Sequence, residues 1–163
     1  MIRAFIIAAL LTSATGAASA QTQAADHGAK VYQRCAACHL PNGQGVPGAF
    51  PALAGRAAVA AQTGAGRDYL VMTVVAGVMG EIEVDGKKIR GVMPAQAGLT
   101  DTDVAAVLNH AIALQAAGVK VENAPRKFTA DEVAAIKARF GKATPNSIHQ
   151  IRAGAFATEA TAQ

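Results

Sequence analysis

Cys35-Ala36-Ala37-Cys38-His39 places two thiols three positions apart, with an imidazole directly after the second. Cys-x-x-Cys-His is the spacing at which a c-type haem is attached. Two thiols so separated, at the end of a helical turn, reach two vinyl groups on one edge of a porphyrin and form thioethers. The adjacent His39 is then carried under the iron as the proximal ligand. Other chemistry for the same residues meets obstacles. A thioredoxin-like redox pair needs a strand before the motif and a βαβ pattern around it, and no such alternation flanks these positions. A zinc site needs four ligands at compatible spacings, whereas His27, His110 and His149 are scattered. A disulfide between Cys35 and Cys38 would leave His39 without a purpose.

Iron with one histidine keeps an axial position to fill, and Met72, Met79, Met93 and the other three histidines are the candidates. Met72 falls in an apolar helical stretch and reads as core. Met79 stands just before a hairpin. Met93 follows that hairpin and precedes Pro94, which favours an extended backbone before it. A thioether ligand raises the potential of the iron. Met93 is the better placed of the two, with Met79 as its rival.

The elements that would position these groups can be read along the chain. Asp26 is a suitable N-cap for a first helix to about Cys35, with Gly28, Val31 and Tyr32 on one face. Leu40 to Gly55 is rich in Gly and Pro yet punctuated by Val46, Phe50 and Leu53, as expected of a loop wrapped around a porphyrin edge. A helix follows over Arg67 to Ala76, closed by Gly77. Glu81 to Arg90 alternates polar and apolar residues about Asp85-Gly86, the pattern of a two-stranded hairpin with a type I′ turn. Leu99-Thr100-Asp101-Thr102-Asp103-Val104 opens a helix to about Gln115, with Thr100 as N-cap and Leu99 and Val104 as a hydrophobic staple. Phe128-Thr129-Ala130-Asp131-Glu132-Val133 opens another, to Phe140, with a full capping box. Thr144-Pro145 begins a last short helix that stops near Gly154.

The N-terminus carries an export pattern. Arg3 precedes the apolar stretch Ala4 to Leu11, and Ala18-Ser19-Ala20 is an A-x-A cleavage site. That core is too short to span a bilayer. The expected organisation is a signal peptide at 1–20, a flexible start at 21–24, a main domain at 25–117, a helical extension at 118–157 and a disordered tail at 158–163. Cleavage after Ala20 sends the mature chain to the periplasm, with no membrane span. The chain of 163 residues has a formal net charge of +4, with basic residues that form no stripe, no Trp and few other aromatics. That excludes nucleic acid as a partner. A core short of aromatic rings also suits a large flat cofactor.

The Cys35–His39 motif after a short helix, the loop ending Phe50-Pro51-Ala52-Leu53-Ala54-Gly55, and Gly91-Val92-Met93-Pro94 before a helix resemble the class I, mono-haem cytochrome c family. The likeness is greatest to bacterial periplasmic cytochromes that serve dehydrogenases, and it covers about residues 25 to 117. It implies an all-α fold around one covalent haem c, here with a short β-hairpin insertion and extra C-terminal helices. It also implies axial ligation by His39 and Met93, and a Pro51 carbonyl that receives the ring N–H of His39. Gly28 and Tyr32 would meet the helix carrying Val107 and Leu108, with His110 as a packing or surface residue near a position that is often aromatic.

The expected function is one-electron transfer, with no catalytic residue of its own. Transient partners would be a dehydrogenase, a terminal oxidase or both. They would meet the haem edge framed by Ala36, Ala37, Val46 and Pro47. The alternatives are a dedicated electron-accepting subunit docked through the C-terminal helices, and a haem enzyme or gas sensor with an open sixth position. The C-terminal segment is expected to pack back on the main domain, with His149 on its surface.

Overall fold

The computed structural model describes residues 15–156 apart from 85, 120 and 122, with side chains from residue 22 onward. Most of the expected signal peptide and the whole tail at 158–163 lie outside the described residues. The elements in chain order are α1 (Thr15–His39), α2 (Arg56–Ala60), α3 (Gly64–Ala76), β1 (Val78–Val84), β2 (Lys87–Met93), α4 (Asp101–Ala113), α5 (Ala130–Phe140) and α6 (Pro145–Ala155). The fold is mainly helical, with one antiparallel hairpin.

The first helix differs from expectation at both ends. It is already helical at Thr15, so Asp26 is interior rather than a cap and the stretch 21–24 is helical. It also continues past Cys35 through His39, which puts the whole motif on its last turn. Leu40 closes it with φ 64°, a left-handed conformation that helix ends usually give to glycine. Tyr32 supports that closure by donating its hydroxyl to the Leu40 carbonyl, 3.2 Å away.

α1 crosses α4 at Gly28. A Cβ there would stand 2.5 Å from the Ala106 carbonyl oxygen, so only a residue without a side chain permits this approach. One turn on, Tyr32 packs its ring on His110, centroids 4.7 Å apart. Burial raises the Tyr32 hydroxyl to about 12 and lowers His110 below its ordinary value. His110 is therefore a packing residue in this crossing.

Threonines cap the later helices. Thr63, Thr100 and Thr144 each accept a backbone N–H with the side chain, and the last two form reciprocal capping boxes with Asp103 and Ser147. Thr129 caps α5 in the same way, but its expected box is one-sided. The Glu132 carboxylate that would complete it is bound elsewhere, to Arg67 and Arg126. Arg67, only 7% exposed, lies over the Phe128 ring at 3.8 Å and also donates to the carbonyls of Ala61 and Arg126. A guanidinium can be buried here because most of its donors meet acceptors.

The C-terminal helices pack back on the rest of the chain. Val133 and Ile136 of α5 and Ile148 of α6 are buried in one core with Tyr69, Val71 and Met72 of α3 and Val104 and Leu108 of α4. Met72 is thus a core residue. His149 is not simply on the surface, since its ring packs over Gly80 and its Nε2 lies 2.7 Å from the Glu81 carbonyl oxygen.

Candidate haem site

The last turn of α1, the loop after it, α3, the hairpin and α6 surround a cavity of about 300 Å³. α1 contributes Cys35, Cys38 and His39 to its wall. The two cysteines form no disulfide with each other; Cys35 is half-buried and Cys38 exposed. A helix is what the motif requires, because residues three positions apart lie on one face of it.

His39 is 6% exposed. Its Nδ1 stands 2.8 Å from the Pro51 carbonyl oxygen, which can only accept, so Nδ1 carries the proton and Nε2 keeps a free lone pair. Burial holds the imidazole below its ordinary pKa, with the hydrogen bond opposing the shift in part. The result is a neutral, oriented ring of the form a metal ion binds. The loop fixes Pro51 through its glycines. A Cβ on Gly45 would fall 2.6 Å from the Pro51 oxygen and 2.3 Å from that of Phe50, and Gly45 has φ 65°. The Gly/Pro loop therefore sets the tautomer of the histidine that precedes it.

The hairpin separates the two methionines. Val78, Gly80, Ile82 and Val84 of β1 line the cavity together with Ile89, Gly91, Val92 and Met93 of β2; along β1 the contacts alternate as a strand requires. Met79 falls between two of the inward positions of β1. It pairs in register with Val92, and the two are 45% and 63% exposed. Met93, Cys35, Cys38 and His39 thus share one cavity, and Met79 is outside it. The hairpin is longer than expected, and its far end carries Met93 within β2.

The remaining wall is mostly apolar. Leu53, Leu70 and Phe156 contribute to it, together with Tyr69, Thr73, Arg56 and Arg152. Thr73 Oγ1 is buried without a hydrogen-bond partner among the described residues; the Tyr69 hydroxyl interacts with Thr73 and Arg152 but does not meet Oγ1 at bonding geometry. A buried, unpaired hydroxyl on a cavity wall costs free energy unless an occupant serves it. Two thiols and an oriented imidazole on one side, a thioether on another and an apolar surround make a donor set that fits haem c.

The cytochrome c family model matches residues 25–111, and the chain belongs to that family as a mono-haem class I c-type cytochrome holding one covalent haem c. It is similar to cytochrome c-552 of Thermus thermophilus, with 46% identity over 121 residues, covering 74% of this chain and 90% of that protein. A second cytochrome c-552 sequence from Thermus thermophilus shows the same identity over the same length, with 80% of that protein covered. The chain is an electron carrier.

Sequence reasoning missed three residues of this region. α6 brings Arg152 and Phe156 to the cavity, and α3 brings Tyr69. A last short helix was visible in the sequence, but which of its residues meet the cavity depends on how it folds back.

Proposed function

We propose that the chain is an exported, periplasmic one-electron carrier, cleaved after Ala20, whose haem iron is held between His39 and Met93. The observation that carries this reading is the sharing of one cavity by Cys35, Cys38, His39 and Met93, with Met79 turned to the other face of the hairpin. When bound, the haem supplies a one-electron ferric–ferrous couple. Cys35 and Cys38 tether it through thioethers. His39 presents Nε2 to the iron, held by the Pro51 carbonyl 2.8 Å from Nδ1. Met93 offers its sulfur from a strand that β1 pairs with at Val78. With His39 and Met93 both held by the fold, electron gain or loss would require little rearrangement of the chain. The apolar wall excludes water and favours the form with less charge.

Partners would be a dehydrogenase upstream, a terminal oxidase downstream, or both. They would dock weakly beside the motif, where Ala37, Val46, Pro47 and Phe50 are exposed, as small transient redox interfaces do. A dedicated dehydrogenase subunit docked through α5 and α6 has less support, because Val133, Ile136 and Ile148 are taken up by the internal core. No described helix is long and apolar enough to cross a membrane.

The test is an absorption spectrum of exported protein, oxidised and reduced, with and without carbon monoxide. A low-spin c-type spectrum with a methionine–ferric band and no rapid response to the gas is expected. A high-spin spectrum, or a fast shift with carbon monoxide, would replace this reading with that of a haem enzyme or sensor. Met93→Ala is expected to lower the potential and open the iron to carbon monoxide, while Met79→Ala leaves both unchanged. The reverse pattern would transfer the ligand role to Met79.

A further inference from the structure

The family match ends at residue 111, yet the cavity wall does not. Arg152, near the end of α6, and Phe156, the residue that follows the helix, stand on it. Arg152 is held from three sides. One guanidinium nitrogen donates to the Glu83 carbonyl of β1 at 3.0 Å. Its carbon lies over the Phe156 ring, 4.7 Å from the centroid. The Tyr69 hydroxyl of α3 interacts with it, and the Tyr69 ring meets that of Phe156 edge-on at 5.9 Å. No carboxylate pairs with Arg152 among the described ion pairs. A cation fixed on the wall of a mostly apolar cavity, with a neutral carbonyl, a phenol and a ring for company, is poised for an anion from the occupant. Haem has two carboxylates, on the edge of the macrocycle opposite the vinyl groups that the thiols take.

Two other arginines line the cavity. Arg34 directly precedes Cys35 and its guanidinium lies near the Ala97 carbonyl, so it belongs to the thiol side. Arg56 opens α2 and serves as the internal comparison.

We propose that α6 completes the cofactor site, with Arg152 as a positioning residue that meets a haem carboxylate and holds the potential of the iron up. The inference rests on the haem reading above. A fixed positive charge near the iron disfavours the ferric state, and one paired with a carboxylate also offsets that group's own opposing charge. The C-terminal extension is then part of the redox centre rather than a docking module.

The experiment is a spectroscopic redox titration of the exported holoprotein, full length, as wild type, Arg152→Gln, Arg152→Lys and Arg56→Gln, with thermal unfolding recorded for each. Arg152→Gln is expected to lower the equilibrium constant for reduction about tenfold, which is about 59 mV for one electron. Arg152→Lys keeps the charge and is expected to stay within about twofold of wild type, and Arg56→Gln to shift less than Arg152→Gln. An unchanged potential in Arg152→Gln would overturn the proposal, as would a larger shift in Arg56→Gln. If Arg152→Gln yields no holoprotein, Arg152→Lys decides, since a tenfold loss with the charge retained would show that charge is not the cause. A wild-type chain without a c-type spectrum would instead refute the haem reading itself.

Discussion

The two halves of this molecule reach the same cavity by different means. From α1 to α4 the chain brings reactive groups placed by local rules, namely two thiols and an imidazole on one helical turn and a thioether on one strand face. From α5 to α6 it brings support, through Ile148 in the core, His149 on the hairpin and Arg152 on the cavity wall. The first half determines which cofactor binds. The second determines how firmly the walls stand around it. Chemistry can be specified by a pentapeptide, but an enclosure needs contacts between distant parts of the chain.

The largest effect expected from either half comes from the motif. Cys38→Ala should remove one tether and prevent normal haem attachment, and the apoprotein should fail to fold, since the cofactor fills the centre of the molecule. Loss of haem staining and of helical circular dichroism would be seen together. A stable holo-like product would break the division just drawn, because the enclosure would then hold haem without its thiols.

The strongest test of the second half is the Arg67–Glu132 pair. Glu132→Gln should cost about 2 to 3 kcal/mol, because it leaves a buried guanidinium without its counter-charge, measurable by denaturant unfolding of the holoprotein. The same pair has an acid signature. Hydrogen bonding from Arg67 holds Glu132 down to about 2, from an ordinary value of 4.5. Its stabilisation is therefore complete above about pH 4.5 and lost as pH falls towards 2. Glu132→Gln should flatten that part of the acid-unfolding curve.

Smaller effects lie at single contacts in each half. Gly28→Ala drives a Cβ into the Ala106 carbonyl and should cost about 1 to 3 kcal/mol, as overpacking does. His149→Ala removes the hydrogen bond to the Glu81 carbonyl and should cost about 1 kcal/mol. Its effect should show first as faster amide exchange in the hairpin, with the thioether-bound end of the cofactor site unaffected.

The same contrast decides what could be read from the sequence. The haem motif, the threonine caps at Thr100, Thr129 and Thr144, the Gly77 stop and the pairing of the two hairpin strands are local, and a few neighbouring residues suffice to state them; Asp85 of the expected type I′ turn lies outside the described residues. The crossing at Gly28 and the His39–Pro51 bond came from the family resemblance. The extent of α1 was misjudged because Asp26 has the chemistry of a cap, while the alanines before it can continue a helix equally well. Arg67, Glu132, His149 and Arg152 were not legible. Each is a polar residue whose default place is the surface, and only partners 65 to 69 positions away in the chain draw them inward. The short α2 was missed for a related reason, since its alanines are buried by neighbours rather than patterned by themselves.

The bonds from His149 and Arg152 to the Glu81 and Glu83 carbonyls have a consequence for how this protein coexists with its own copies. Alternate carbonyls of a strand point to the same side, and these two are turned away from β2. They are the free edge of a two-stranded ribbon, the kind of edge on which another strand can add. α6 occupies it with two side chains, so a neighbouring molecule finds no row of open acceptors there. Shedding the last helix would expose that row beside the exposed side chains of Met79 and Val92, and the ribbon would become a seed for self-association.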